Sequence, residues 1–148
     1  MTDKIISFLR TKNIEIPNSE NEITNLFLGA LIVDKIDYWL ERSFELIDNE
    51  KPKIPFEREW SEVAKNDKAY RTSLSQLDSE TKTQLKKLLQ ESIEGVMFSM
   101  LLEFDENWII DLECGKKKST ANENRDLHEC FYNWIAMFRQ NEGLKSNE

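Results

Sequence analysis

The chain has 148 residues, enough for one hydrophobic core and short for two. Hydrophobic residues make up 39%, which separates it from a disordered chain, and only 4 glycines and 3 prolines argue against a turn-rich β-sandwich and flexible linkers. A net charge of −8 repels phosphate backbones and argues against nucleic-acid binding.

The longest apolar runs, 26–33 and 96–102, fall far short of the ~20 residues of a membrane span. The first ten residues hold no long apolar region and no small-residue cleavage site, so they do not read as a secretory signal. Cys114 and Cys130 are the only cysteines, too few for a disulfide framework. A cytoplasmic protein with reduced thiols and no membrane association is expected.

In chain order, Ile5, Ile6, Phe8 and Leu9 predict a short helix over 3–12 that stops before Asn13. Pro17 forces Ile16 out of the helical region. Ser19 followed by Glu22 is a capping box and opens a long helix over 20–48. Its first half is apolar nearly all round; in its second half Val33, Ile36, Leu40, Phe44 and Ile47 share one face. Asp34, Asp37, Glu41, Glu45 and Asp48 share another. Pro52 and Pro55 make a connector. Phe56–Ala64, with Trp60 and Val63, reads as one short helix, and 66–77 as a second, with Tyr70, Leu74 and Leu77 at helical spacing.

Asp78 or Ser79 caps the next helix, whose buried stripe is read as Leu85, Leu88, Leu89, Ser92, Ile93 and Val96. Gly95 leaves two alternatives. The helix runs on to Phe104, which the spacing of Ile93, Met97, Met100, Leu101 and Phe104 favours, or 97–104 pairs with 108–113 as a hairpin. Trp108–Glu113 reads as a short strand and Gly115–Asn124 as a mobile loop. Asn124 or Asp126 caps a last helix to about Gln140, with Leu127, Cys130, Phe131, Trp134, Ile135 and Phe138 on its apolar face. The predicted fold is mainly α: one domain over 1–148, a bundle of five or six helices, with a short strand or hairpin near 97–113.

Catalytic patterns are lacking. His128 is the one histidine, and Cys130, two residues on, points about 200° away from it on a helix. Asp111, Glu113, Cys114, His128 and Glu129 stand at no recognised metal spacing, and no glycine fits a phosphate loop. Lys116–Lys118 reads as a solvated charge run. No catalytic residue, metal or cofactor is expected, and the chain is read as a non-enzyme.

The uneven acidity is more informative. Besides the stripe Asp34, Asp37, Glu41, Glu45 and Asp48, a second acidic segment carries Glu103, Asp105, Glu106, Asp111 and Glu113 with no Lys or Arg among them. Such faces keep a protein soluble, and they also steer basic partners and fix specificity. Trp39 and Trp134 lie near apolar helix faces and read as core. Trp108 lies within the acidic segment, where it either closes the core or anchors a partner.

The stretch Glu94-Gly-Val-Met-Phe-Ser-Met-Leu-Leu-Glu-Phe-Asp105, with Ile110-Asp-Leu112 and Asp126-Leu-His-Glu-Cys-Phe-Tyr-Asn-Trp134, resembles a pattern in small bacterial cytosolic proteins. Some of those look like immunity proteins encoded beside secreted toxins. The resemblance implies a toxin inhibitor and carries over no catalytic residue. With the acidity it gives the expected function: an interaction module that binds a basic protein partner, such as a toxin domain. The expected partner-binding residues are Asp34, Asp37, Glu41, Glu45, Asp48, Asp105, Glu106, Trp108 and Asp111. Two alternatives stay open: a metal-dependent or other small enzyme using His128 and nearby acids, and a homodimeric structural or regulatory subunit joined through the apolar helix at 23–47.

Overall fold

The structure, a computed structural model, describes residues 2–49, 51, 61–114, 117–122 and 126–143. The fold is mainly α. In order come α1 (Thr2–Thr11), α2 (Glu20–Asp48), α3 (Glu62–Ser75), α4 (Ser79–Asn107), β1 (Asp111–Cys114), β2 (Lys117–Thr120) and α5 (Leu127–Gly143). Among the described residues no helix is long and apolar enough to cross a membrane. The chain forms two compact units, one of 1–35 with 95–148 and one of 36–94.

In the first unit, α1 stops where its sequence says it should. Asn13 adopts φ 56°, the left-handed region that asparagine tolerates. Ile14 N–H then reaches back to Leu9 C=O at 3.3 Å and Asn13 N–H to Arg10 C=O at 3.0 Å, which is the Schellman arrangement. Leu9 and Ile14, the apolar pair such a turn brings together, are both buried. Glu22 N–H donates to Ser19 Oγ at 3.5 Å, so the capping pair does open α2.

The core of this unit holds Ile5 and Leu9 of α1, Ile23, Ala30 and Val33 of α2, and Leu101 of α4. From α5 it takes Leu127, Phe131, Trp134 and Phe138, the predicted face. Trp134 can lie against α2 because residue 29 is glycine: a Cβ there would sit 2.6 Å from Trp134 Cγ and Cε2. Trp134 Nε1 donates to Asn25 Oδ1 at 3.3 Å, and Asn25 Nδ2 donates to Ala121 C=O at 3.1 Å. Buried Asn25 thus ties α5 and the chain after β2 to α2.

In the second unit, Ile36, Leu40, Ile47 and Ala64 are buried. Arg71 is 3% exposed and closes the end of α2. Its Nη1 donates to the carbonyls of Glu45 at 3.2 Å and Asn49 at 2.9 Å. Its Nη2 meets Glu45 Oε2 and its Nε meets Asp67 Oδ2, both at 2.6 Å. The bond to Glu45, chiefly, holds the guanidinium more firmly charged than usual, with Asp67 adding to the effect against the cost of burial. α2 carries no basic residue in its last turn, so Arg71 supplies from α3 the positive charge that a helix C-terminus favours.

The structure corrects several expectations. The two short helices read at 56–64 and 66–77 are replaced, over the described residues, by the single α3, whose N-cap Ser61 accepts from Ala64 N–H at 3.2 Å. Trp60 and the Pro52–Pro55 connector lie outside the described residues, as does Asn124. α4, by contrast, runs unbroken through Gly95 to Asn107, so 97–104 is helix, the alternative that the residue spacing favoured, and not hairpin. The hairpin forms later: β1 pairs antiparallel with β2, Asp111 opposite Thr120 and Cys114 opposite Lys117, where a loop was expected. Leu88 and Val96, read as buried stripe, are 59% and 61% exposed. Trp39, read as core, is 55% exposed and sits edge-on to Tyr38.

Candidate functional site

Much of the acidic stripe of α2 is paired within the chain. Asp34 is paired with Lys12, in the turn after α1, at 2.8 Å. Glu45 is paired with Arg71, and Asp48 with Lys86 at 2.6 Å. Three of the five acids thus answer charges within the chain. Glu41 is exposed and Asp37 half-buried.

The second acidic segment is built differently. The side chain of Asp105, one of the acids expected to bind a partner, is only 4% exposed. Its Oδ2 accepts from His128 N–H at 2.9 Å, and the His128 Nδ1 lies 2.8 Å from the same oxygen. A carboxylate only accepts, so Nδ1 carries the hydrogen. Burial pushes the Asp105 carboxyl upward, but donors from His128, Leu127 and Asn122 outweigh it and hold the group below its ordinary value. Asp105 therefore serves the first N–H groups of α5 from the end of α4, while Asp126, expected as the cap, stands directly before the helix and its C=O accepts from Cys130 N–H at 3.2 Å. Asp111 is half-buried and accepts from Thr120 Oγ1 at 2.7 Å.

What this framework presents is Trp108. Its N–H makes the last helical bond of α4, to Phe104 C=O at 2.8 Å. The chain then turns outward: Trp108 is 64% exposed and Ile109 76%. The Asn122 side chain holds this turn from both sides. Its Nδ2 donates to Trp108 C=O at 2.9 Å and its Oδ1 accepts from Ile110 N–H at 3.0 Å. Ala121 N–H completes the clamp on Ile110 C=O at 2.8 Å. Two large apolar side chains are thus held in water on a backbone fixed by three hydrogen bonds. Glu103 and Glu106 beside them are exposed, at a helix C-terminus with no basic residue in its last turn. Their charge adds to the negative end of the helix dipole instead of opposing it.

Arg71, Asn122 and Asn25 were not singled out by sequence. The Asp67–Arg71 spacing of four was a visible signal; the asparagines gave none.

A cavity of about 320 Å³ is walled by Leu26, Ala121, Trp134 and Met137 with the half-buried Cys130. Asn21, Glu22 and Asn133 supply its polar side. For a metal, Asp126, His128 and Glu129 offer ligand atoms within 4.8 Å of one another at the start of α5. These are the polar and acidic residues that a helix N-terminus favours without any ion. Comparison with protein families, curated proteins and solved structures gave no match.

Proposed function

We propose that this chain is a protein-binding module for a basic partner, acting as an immunity-type inhibitor that covers the surface of a toxin domain in the cytoplasm. The observation that carries this reading is the presentation of Trp108 and Ile109, exposed yet held on a clamped backbone. Exposing two large apolar side chains forgoes the stabilisation their burial would give, of order 1.5–3 kcal/mol each. Tryptophan is the residue most enriched among interface hot spots, and a backbone fixed in advance lowers the entropic cost of docking. Glu103 and Glu106 add a negative rim that raises the encounter rate with a positive surface.

The reading narrows the expected binding set. Trp108, Ile109 and Glu106 make the contact, with Glu103 at its edge. Asp105 and Asp111 support it from behind, and the α2 stripe is left to internal pairing. The test is affinity capture from the native host's lysate at low and high salt, with Trp108→Ala run beside the parent. A single basic protein held by the parent, weakened by salt and lost by the variant is the expected result. Identical recoveries with both would count against the reading.

A further inference from the structure

We infer that the cavity walled by Leu26, Ala121, Trp134 and Met137 is a binding site for a small, neutral, bicyclic aromatic molecule, a role that needs no protein partner. The polar groups on its wall are mostly taken. Asn25, 6% exposed, donates to Ala121 C=O and accepts from Trp134 Nε1. Ser19 Oγ accepts from Glu22 N–H. Asn21, Cys130 and Glu22 each interact with other groups of the chain, and Glu22 is the one charged residue among the described residues that line the cavity. An ionised guest would give up its hydration without meeting a charge held ready for it, which is strongly unfavourable. The wall therefore selects a neutral guest.

The apolar walls select an aromatic one. The Trp134 ring is fixed in place: Gly29 lets it rest against α2, and its Nε1 is bound to Asn25 at 3.3 Å. A rigid indole offers a guest ring offset or edge-on contact. Met137, 37% exposed, brings a thioether that adapts to the outline of a guest and favours contact with a ring. Leu26 and Ala121 add walls without polar side-chain atoms. An apolar cavity of about 150 Å³ holds one benzene ring. At about 320 Å³ this cavity has room for two fused rings, and it stands at the small end of ligand sites, below what a typical cofactor needs.

The test is a titration of the full chain followed by NMR. Indole should bind with a dissociation constant below about 1 mM and shift the methyl resonances of Ala121 and Met137. Tryptammonium and indole-3-acetate should bind about tenfold more weakly than tryptophol, a neutral probe of matching size. Cyclooctanol, saturated and with as many heavy atoms as indole, should bind about threefold more weakly than indole. Leu26→Trp, which fills the cavity from a half-buried wall position, should abolish indole binding. Met137→Ala, at an exposed position, should weaken it about threefold and keep the parent's helical signal. The second variant keeps the test decisive should the larger side chain at residue 26 disturb α2. No shift at millimolar indole, shifts confined to other residues, or indifference to Met137→Ala would overturn the site. Equal binding of the charged probes and tryptophol would overturn the neutral guest, and equal binding of cyclooctanol and indole the aromatic one. Tighter binding of N-acetyl-tryptophan methylamide than of indole would overturn the free molecule in favour of a tryptophan side chain.

Discussion

A single carboxylate oxygen of Asp105 takes both the backbone N–H and the ring Nδ1 of His128, at 2.9 and 2.8 Å, and so joins the end of α4 to the start of α5. The same side chain reaches Asn122 Nδ2 at 3.5 Å, the group that holds Trp108. Asp105 thus braces the turn that carries Trp108.

The brace gives a pH dependence. The Asp105 carboxyl is held below its ordinary value in the folded chain. Its contribution to stability is therefore complete above the unfolded carboxylate value of about 3.9 and is lost as pH falls through the lower folded value. Urea unfolding of the parent and of Asp105→Asn across the acid range should show a stability gap that is constant near neutrality and closes at low pH. A gap that does not change with pH would contradict the ionised, hydrogen-bonded role.

In the second unit Arg71 holds two acids at once, Glu45 and Asp67. Asp67 and Glu45, 8% and 14% exposed, depend on it. Arg71→Met leaves both acids without their partner and should cost about 3–5 kcal/mol, read by urea unfolding. Adding Asp67→Leu should restore part of the loss by removing one of the stranded charges. A loss below about 1 kcal/mol, the value of an exposed pair, would contradict the buried assignment.

Two helical glycines should respond in opposite directions. Gly29→Ala drives a methyl group into the Trp134 ring and should destabilise by about 1–3 kcal/mol despite the better helix propensity of alanine. Gly95→Ala meets nothing within 4 Å and should stabilise by about 0.5–1 kcal/mol. Thermal melts of the two variants check the pair. Equal shifts would mean that Trp134 does not rest on α2 as described.

The local rules in this sequence were readable. Ser19 and Glu22 marked the start of α2, Asn13 marked the end of α1, and the apolar spacing from Leu127 to Phe138 marked the buried face of α5. What escaped depends on residues far apart in the chain. The charges that answer Asp34, Glu45 and Asp48 come from Lys12, Arg71 and Lys86, each 22 or more residues away. β2 is a polar run, Lys117–Thr120, that becomes a strand only because β1 offers it a partner. Asn122 bonds to backbone 12 and 14 residues earlier, a contact no periodicity encodes. Trp108 and Trp39 show the same limit: both are tryptophans on or beside long helices, and only the packed chain shows that both face water.

The central claim is that Trp108 anchors a basic partner, and calorimetric titration of the captured partner tests it most directly. Trp108→Ala should weaken binding by about 2 kcal/mol or more, roughly thirtyfold, with higher salt weakening the parent further. Asn122→Ala, which frees the Trp108 backbone but leaves the indole, should lose less than Trp108→Ala. Unchanged affinity for Trp108→Ala, in a variant that keeps the parent's helical signal, would contradict the account.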